Sequence, residues 1–186
     1  MNENEVIERR ACISGVGQSD VGRRLFRDPL ELTLDACLAA IDHAGLTVHD
    51  IDGLSTYPGP VGFGISEGGV TAVEEALRLK PTWTNGGMDL PGPGGSLIAA
   101  MLAVSAGLCR HVLCFRTVWE ATFSALQMQQ MAKRFESGGG GGPSRVSGAM
   151  QAFQAASSAA GRSWLCSNTR SITACVRSVG RFEKKA

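Results

Sequence analysis

A chain of 186 residues matches one ordinary domain of about 150 residues, with or without a tail, and excludes two full domains. Apolar residues at 44% and charged residues at 19% exclude general disorder, and 24 glycines against a single tyrosine point to many tight turns. The net charge of +1 hides an asymmetry, because residues 1–150 carry more acidic than basic side chains while 151–186 carry six Lys and Arg against one Glu.

Met1 to Arg10 is charged and lacks the apolar core of an export signal. The longest apolar stretch, Ser96 to Gly107, is shorter than the ~20 residues of a membrane span. These features describe a soluble cytoplasmic protein, with no membrane span and no nucleic-acid partner. Cys12, Cys37, Cys109, Cys114, Cys166 and Cys175 are then expected to be free. They form no CxxC and have no paired histidine, so no metal site is expected.

In chain order, Arg10–Val16 reads as a first strand. Asp28 is a suitable N-cap and Pro29 a suitable first helical residue; Leu30, Leu34, Leu38 and Ile41 recur at helical spacing until Gly45. Gly53–Tyr57 reads as a second strand, ended by Pro58-Gly59-Pro60. Thr71–Lys80 has a helical apolar face and stops at Pro81, and Thr82–Asn85 makes a short strand. Five glycines and two prolines in Gly86–Gly95 open onto Ser96–Gly107, whose uniform apolarity predicts a helix buried on all sides. His111–Val118 is a third strong strand, and Glu120–Phe135 has helical composition. Strands alternating with helices specify an α/β layered fold with parallel pairings. Gly138–Gly142 reads as a mobile loop, Gln151–Ala160 as potentially helical, and Trp164–Ala186 as a segment without period.

Gly15-Val16-Gly17 follows a strand as a nucleotide fingerprint would, but the third glycine is replaced by Asp20, which argues against a dinucleotide site. Arg23, Arg24 and Arg27 form a basic cluster that reads as a solvated loop rather than a phosphate site. The Gly-rich loop before the apolar helix is more informative. Gly92, Gly94, Gly95 and Ser96 place free N–H groups at a helix start, where an anion or a carbonyl oxygen is favoured. Close packing by small residues is the competing explanation.

The strings Gly15-Val16-Gly17-Gln18-Ser19-Asp20-Val21-Gly22-Arg23, Ala44-Gly45-Leu46 and Asp50-Ile51-Asp52-Gly53-Leu54, with the Ala-rich helix from Leu32 to Ala44, resemble the N-terminal half of the thiolase superfamily. The likeness is to its lipid-transfer-protein-like and sterol-carrier-protein-x-type members and runs over residues 10–150. It implies a half of βαβαβαββ type within a five-layered α/β/α/β/α fold, usually dimeric. It also implies acyl-CoA substrates, with a coenzyme A thioester as substrate and no separate cofactor.

Active thiolases place a nucleophilic Cys in a Cys-x-Ser-Gly turn at the start of the buried helix, where the dipole favours the thiolate. Register with the family puts that position near Leu90, so no catalytic residue is assigned. Cys109 and Cys114 lie beyond the helix and read as packing residues. The family's Gly-His-Pro and second-Cys turns belong to the C-terminal half, which this chain does not reach. Members that lack the Cys resemble aldolases that cleave steroid acyl-CoA side chains in complex with an OB-fold partner.

The expectation is therefore a truncated thiolase-like protein, related to acyl-CoA acetyltransferases and lipid-transfer thiolases, without thiolytic activity of its own. The alternative is a non-catalytic, partner-binding half of a thiolase-like or steroid acyl-CoA aldolase complex, assembled as a homodimer or with an OB-fold chain. Residues 1–150 form the thiolase-like half-domain. Residues 151–186 form a divergent basic tail, with a frameshift after Met150 as one explanation, weakly ordered from about Gly138.

Overall fold

A computed structural model describes residues 9–22, 25–59, 67–87, 92–136 and 170–179. Leu90, Arg23, Arg24, the glycine run 138–142 and the helix expected over Gln151–Ala160 lie outside them. The chain divides into two compact units, one of residues 1–20, 27–118 and 170–186, the other of 21–26 and 119–169.

The first unit is a five-stranded sheet with helices on both faces. Its strands are β1 (Ala11–Gln18), β2 (Gly53–Thr56), β3 (Trp83–Gly86), β4 (His111–Val118) and β5 (Arg170–Ser178), in the order β1-β5-β4-β2-β3. β2 is parallel to β3 and β4, as expected, whereas β5 is antiparallel to β1 and β4. The α/β layered reading stands, and β5 corrects the reading of Trp164–Ala186 as patternless and of the tail as weakly ordered throughout. Ser171, Thr173, Cys175 and Val176 are fully buried, while Ile172 is exposed. Polar side chains point inward here, which inverts the alternation that marks a strand in sequence.

Helix α1 (Pro29–His43) starts as expected: the Asp28 side chain accepts the Leu30 N–H at 2.7 Å. Gly45, at φ +67°, follows its end in the left-handed region. Its buried face differs from the leucine stripe. Leu32, Thr33, Ala36, Cys37, Ala40 and Ile41 are buried, and Leu38 faces outward. The reason lies on β1. A Cβ at Gly15 would overlap the Ala40 and Ala44 backbone, and one at Gly17 the backbone of Ala36 and Ala40. These glycines let the small-residue face of α1 lie against the strand, which disposes of the nucleotide reading of Gly15 and Gly17.

Helix α2 (Gly69–Leu77) begins and ends earlier than the sequence suggests, because Arg78 adopts φ 54° and closes it. It joins α1 on one face, where Cys37, Ile41, Leu54, Val73, Leu113, Phe115 and Cys175 form one core. Helix α3 (Gly92–Ser105) covers the other face through Ala100, Ala103 and Val104 against Val112, Cys114 and Val176. It is not buried on all sides: Ile98 and Leu102, one turn apart, are more than half exposed. One face of α3 meets the sheet, and uniform apolarity gave no sign of which.

The second unit contains α4 (Glu120–Glu136). Its start is fixed by the Thr122 hydroxyl, which donates to the Leu25 carbonyl at 3.1 Å, and by the Trp119 and Phe123 rings, 6.3 Å apart.

Candidate functional site

The motif residues that carry the thiolase likeness are structural. Asp52 Oδ1 accepts the N–H groups of Arg110 (2.8 Å) and His111 (2.7 Å), and its carbonyl accepts that of Thr82 (2.8 Å). One residue, through its side chain and its carbonyl, thereby aligns the beginnings of β2, β3 and β4. Gly53 has no room for a Cβ beside Val112 and Cys109. Asp50 Oδ2 accepts the Thr47 N–H and hydroxyl at 2.8 and 2.7 Å, which holds its carboxyl below the usual range. Arg27 is engaged by Asp35 (2.9 Å), Asp20 (3.3 Å) and Glu31 (3.7 Å) on the surface, in keeping with a solvated cluster.

The opposite ends of the parallel strands carry the candidate site. An open groove of about 400 Å³ lies between the first turns of α3 (Pro93, Gly94, Ser96, Leu97), the second half of β4 (Cys114 to Arg116, with Val118) and Ile172 and Ala174 of β5. Carboxyl ends of parallel strands are where α/β sheets place ligands, because the loops diverge there. Ser55 donates its hydroxyl to the Ser96 carbonyl at 3.0 Å and fixes α3 against β2.

The glycines expected to precede the helix are its first turn. Gly92, at φ +71°, opens α3; Gly94 is exposed and Gly95 buried. Gly94 and Ser96 line the groove. The N–H groups of a helix's first turn have no partner within it, so the backbone of Gly92, Gly94 and Gly95 retains donors there, while Pro93 has none. The Ser96 hydroxyl donates to the Pro93 carbonyl at 2.8 Å and is buried, which suits a helix-start brace better than a nucleophile.

The groove is largely apolar, and Arg116 is the cation in its lining. Arg116 donates to the Tyr57 carbonyl at 3.0 Å and lies 5.4 Å from the centre of the Tyr57 ring. Cys114 also lines it, but burial pushes that thiol up to about 12 and the Cys109 thiol to about 11. Both are packing residues, as expected, since a thiol at such values supplies almost no thiolate. Among the described residues no cluster of His, Cys, Asp or Glu could hold a metal ion. No described helix is long and apolar enough to cross a membrane.

Sequence reasoning missed Glu67, Thr56 and Arg116. Glu67 is 5% exposed, and its Oε1 lies 3.2 Å from the Thr56 hydroxyl. The available signal was an acid isolated among Gly62, Gly64, Gly68 and Gly69, and only the fold buries it.

No family model matches the chain. A steroid side-chain-cleaving aldolase of Thermomonospora curvata is 28% identical over 133 residues, which cover 72% of this chain and 33% of that protein. Among solved structures, the Ltp2–ChsH2(DUF35) aldolase superposes with a TM-score of 0.62 at 18% identity, over 94% of this chain and 57% of that one. OleA of Xanthomonas campestris bound with cerulenin superposes at 0.58 and 11% identity, over 91% and 56%. The chain thus spans a third of the curated relative and a little over half of each solved chain.

Proposed function

We propose that this chain, which has a thiolase-like fold of half length, is a unit that handles acyl-CoA thioesters without thiolytic turnover of its own. The groove beside α3 supports this reading. Its apolar walls suit an acyl chain, and the helix start formed by Gly92, Gly94 and Gly95, of which Gly94 lines the groove, suits a thioester carbonyl or another electron-rich oxygen. Similarity to a steroid side-chain-cleaving aldolase supports aldolase-type rather than thiolase-type relatives. The register position at Leu90 offers no nucleophile, and the buried thiols of Cys109 and Cys114 offer no substitute.

A second reading, a non-catalytic half that completes a thiolase-like or steroid acyl-CoA aldolase assembly, draws on the exposed Ile98 and Leu102 of α3. As a pair on one helix face they suit a partner surface, whether of a second copy or of an OB-fold chain.

Acetoacetyl-CoA added to the purified chain, for the cleavage arm together with free coenzyme A as the acceptor thiol, tests both. The first reading expects saturable binding, no cleavage, and indifference to iodoacetamide. The second expects binding only after a thiolase-like or OB-fold partner chain is added. Robust, alkylation-sensitive cleavage would overturn both.

A further inference from the structure

At the last residue pair of the β2–β4 ladder, Thr56 and Phe115, one hydroxyl meets two acceptors. Thr56 Oγ1 lies 2.9 Å from the Phe115 carbonyl oxygen and 3.2 Å from Glu67 Oε1. A hydroxyl has one proton to give. If Glu67 were ionised, one contact would set two electron-rich oxygens against each other. If Glu67 keeps its proton, its O–H donates to Thr56 and Thr56 donates to Phe115, so both contacts are hydrogen bonds. The other carboxyl oxygen, Oε2, is buried without a partner, which costs far less for a neutral acid than for an anion.

The next residues are Tyr57, just past β2, and Arg116 on β4, which lines the groove; they meet through the hydrogen bond and ring contact described above. We infer that Glu67 holds its proton in the folded protein and, through Thr56 and the Phe115 carbonyl, is a positioning residue for the Arg116–Tyr57 pair at the groove. Loss of that proton turns the Thr56 hydroxyl toward the carboxylate, opens the clamp at Phe115 and offers Arg116 a competing anion. The inference rests on the acyl-CoA reading only for what occupies the groove.

The surroundings agree. Burial raises the Glu67 carboxyl above the usual range and outweighs what favours its charged form, namely its own backbone N–H, the Thr56 hydroxyl and, as the charged group acting on it, Arg116 of β4. From α1 the neighbouring titratable group is the Cys37 thiol, itself pushed up to about 12. β3 brings none, and on α2 Glu75 is exposed and Glu74 partly so.

Tyr57 is the only tyrosine in the chain, so selective carbon-13 tyrosine labelling of the full-length protein gives one ring to follow between pH 4 and 8. The Tyr57 signals should move with a midpoint above the ordinary glutamate value of about 4.3. In Glu67→Gln, whose amide donates to Thr56 as the neutral acid does, they should stay near the wild-type low-pH position throughout. A wild-type ring that does not move, a midpoint at the ordinary value, or an unchanged midpoint in Glu67→Gln overturns the inference. Carbon-13 glutamate labelling of the wild type decides it even if that variant fails to fold, since one carboxyl must titrate late. None of these measurements uses acyl-CoA, so their outcome is separable from that of the binding test.

Discussion

Ser19 and Ser171, 152 positions apart, are bonded twice: the Ser19 N–H donates to the Ser171 carbonyl at 3.0 Å, and the Ser171 N–H donates to the Ser19 hydroxyl at 2.9 Å. The Ser171 hydroxyl lies 3.0 Å from that of Thr117, which bonds in turn to Thr33, whose hydroxyl donates to the Pro29 carbonyl at 2.7 Å. A buried chain of hydroxyls therefore joins β5 to β4 and α1. Ser19→Ala leaves the buried Ser171 N–H without its acceptor and should cost about 1–3 kcal/mol, read as a lower urea midpoint at unchanged slope.

Truncation after Thr169 removes β5 from between β1 and β4 and strips both of ladder partners. Cooperative unfolding should be lost, whereas truncation after Gly180, beyond the strand, should preserve it. Thermal scans of the two products check this.

Gly17→Ala forces a methyl group into the α1 backbone at Ala36 and Ala40. Backbone cannot swing aside as a flexible side chain does, so a loss of about 3 kcal/mol or more is expected. Gly94→Ala is the control, because no atom lies within 4 Å of a Cβ there and the position is helical; it should be neutral or stabilise by up to about 1 kcal/mol. Denaturant titration separates the two.

Burial raises the thiols of Cys37, Cys114 and Cys175 to about 12 and that of Cys109 to about 11. In a Cys166→Ser background, Ellman's reagent at pH 8 should modify the half-buried Cys12 well ahead of the other four, which should react only on unfolding. Rapid reaction of Cys114 in the native protein would contradict the assignment of the groove thiol as inert.

Asp50, held ionised by Thr47, is lowered in the folded state. Its contribution is therefore present above the unfolded value of about 3.9 and lost as pH falls through the folded one. Asp50→Asn should flatten the acid limb of the stability curve and leave the fall of stability with rising pH expected from Glu67 untouched. A chemical-denaturation series against pH measures both limbs.

Much of the first unit was legible in the sequence because its signals are local. The Asp28-Pro29 start of α1, the left-handed glycine at position 45 and the apolar run His111–Val118 each act over a few residues, and capping, backbone freedom and hydrophobicity are properties of the residues themselves. Tertiary structure decided what depends on distant partners. Ser171 and Thr173 belong to a stretch without a readable period until β4 and α1 supply hydroxyl and thiol partners such as Thr117 and Cys37. The glycines of β1 mimicked a phosphate motif until α1 was laid across them. The candidate groove was half visible: a helix start can be read from glycines and a proline, whereas Arg116, which lines it, and Glu67, which meets Thr56, lie on a strand and in a loop far apart in sequence. Their burial and charge are set by the fold around them, because desolvation and hydrogen-bond direction depend on the whole surroundings of a group rather than on its place in the chain.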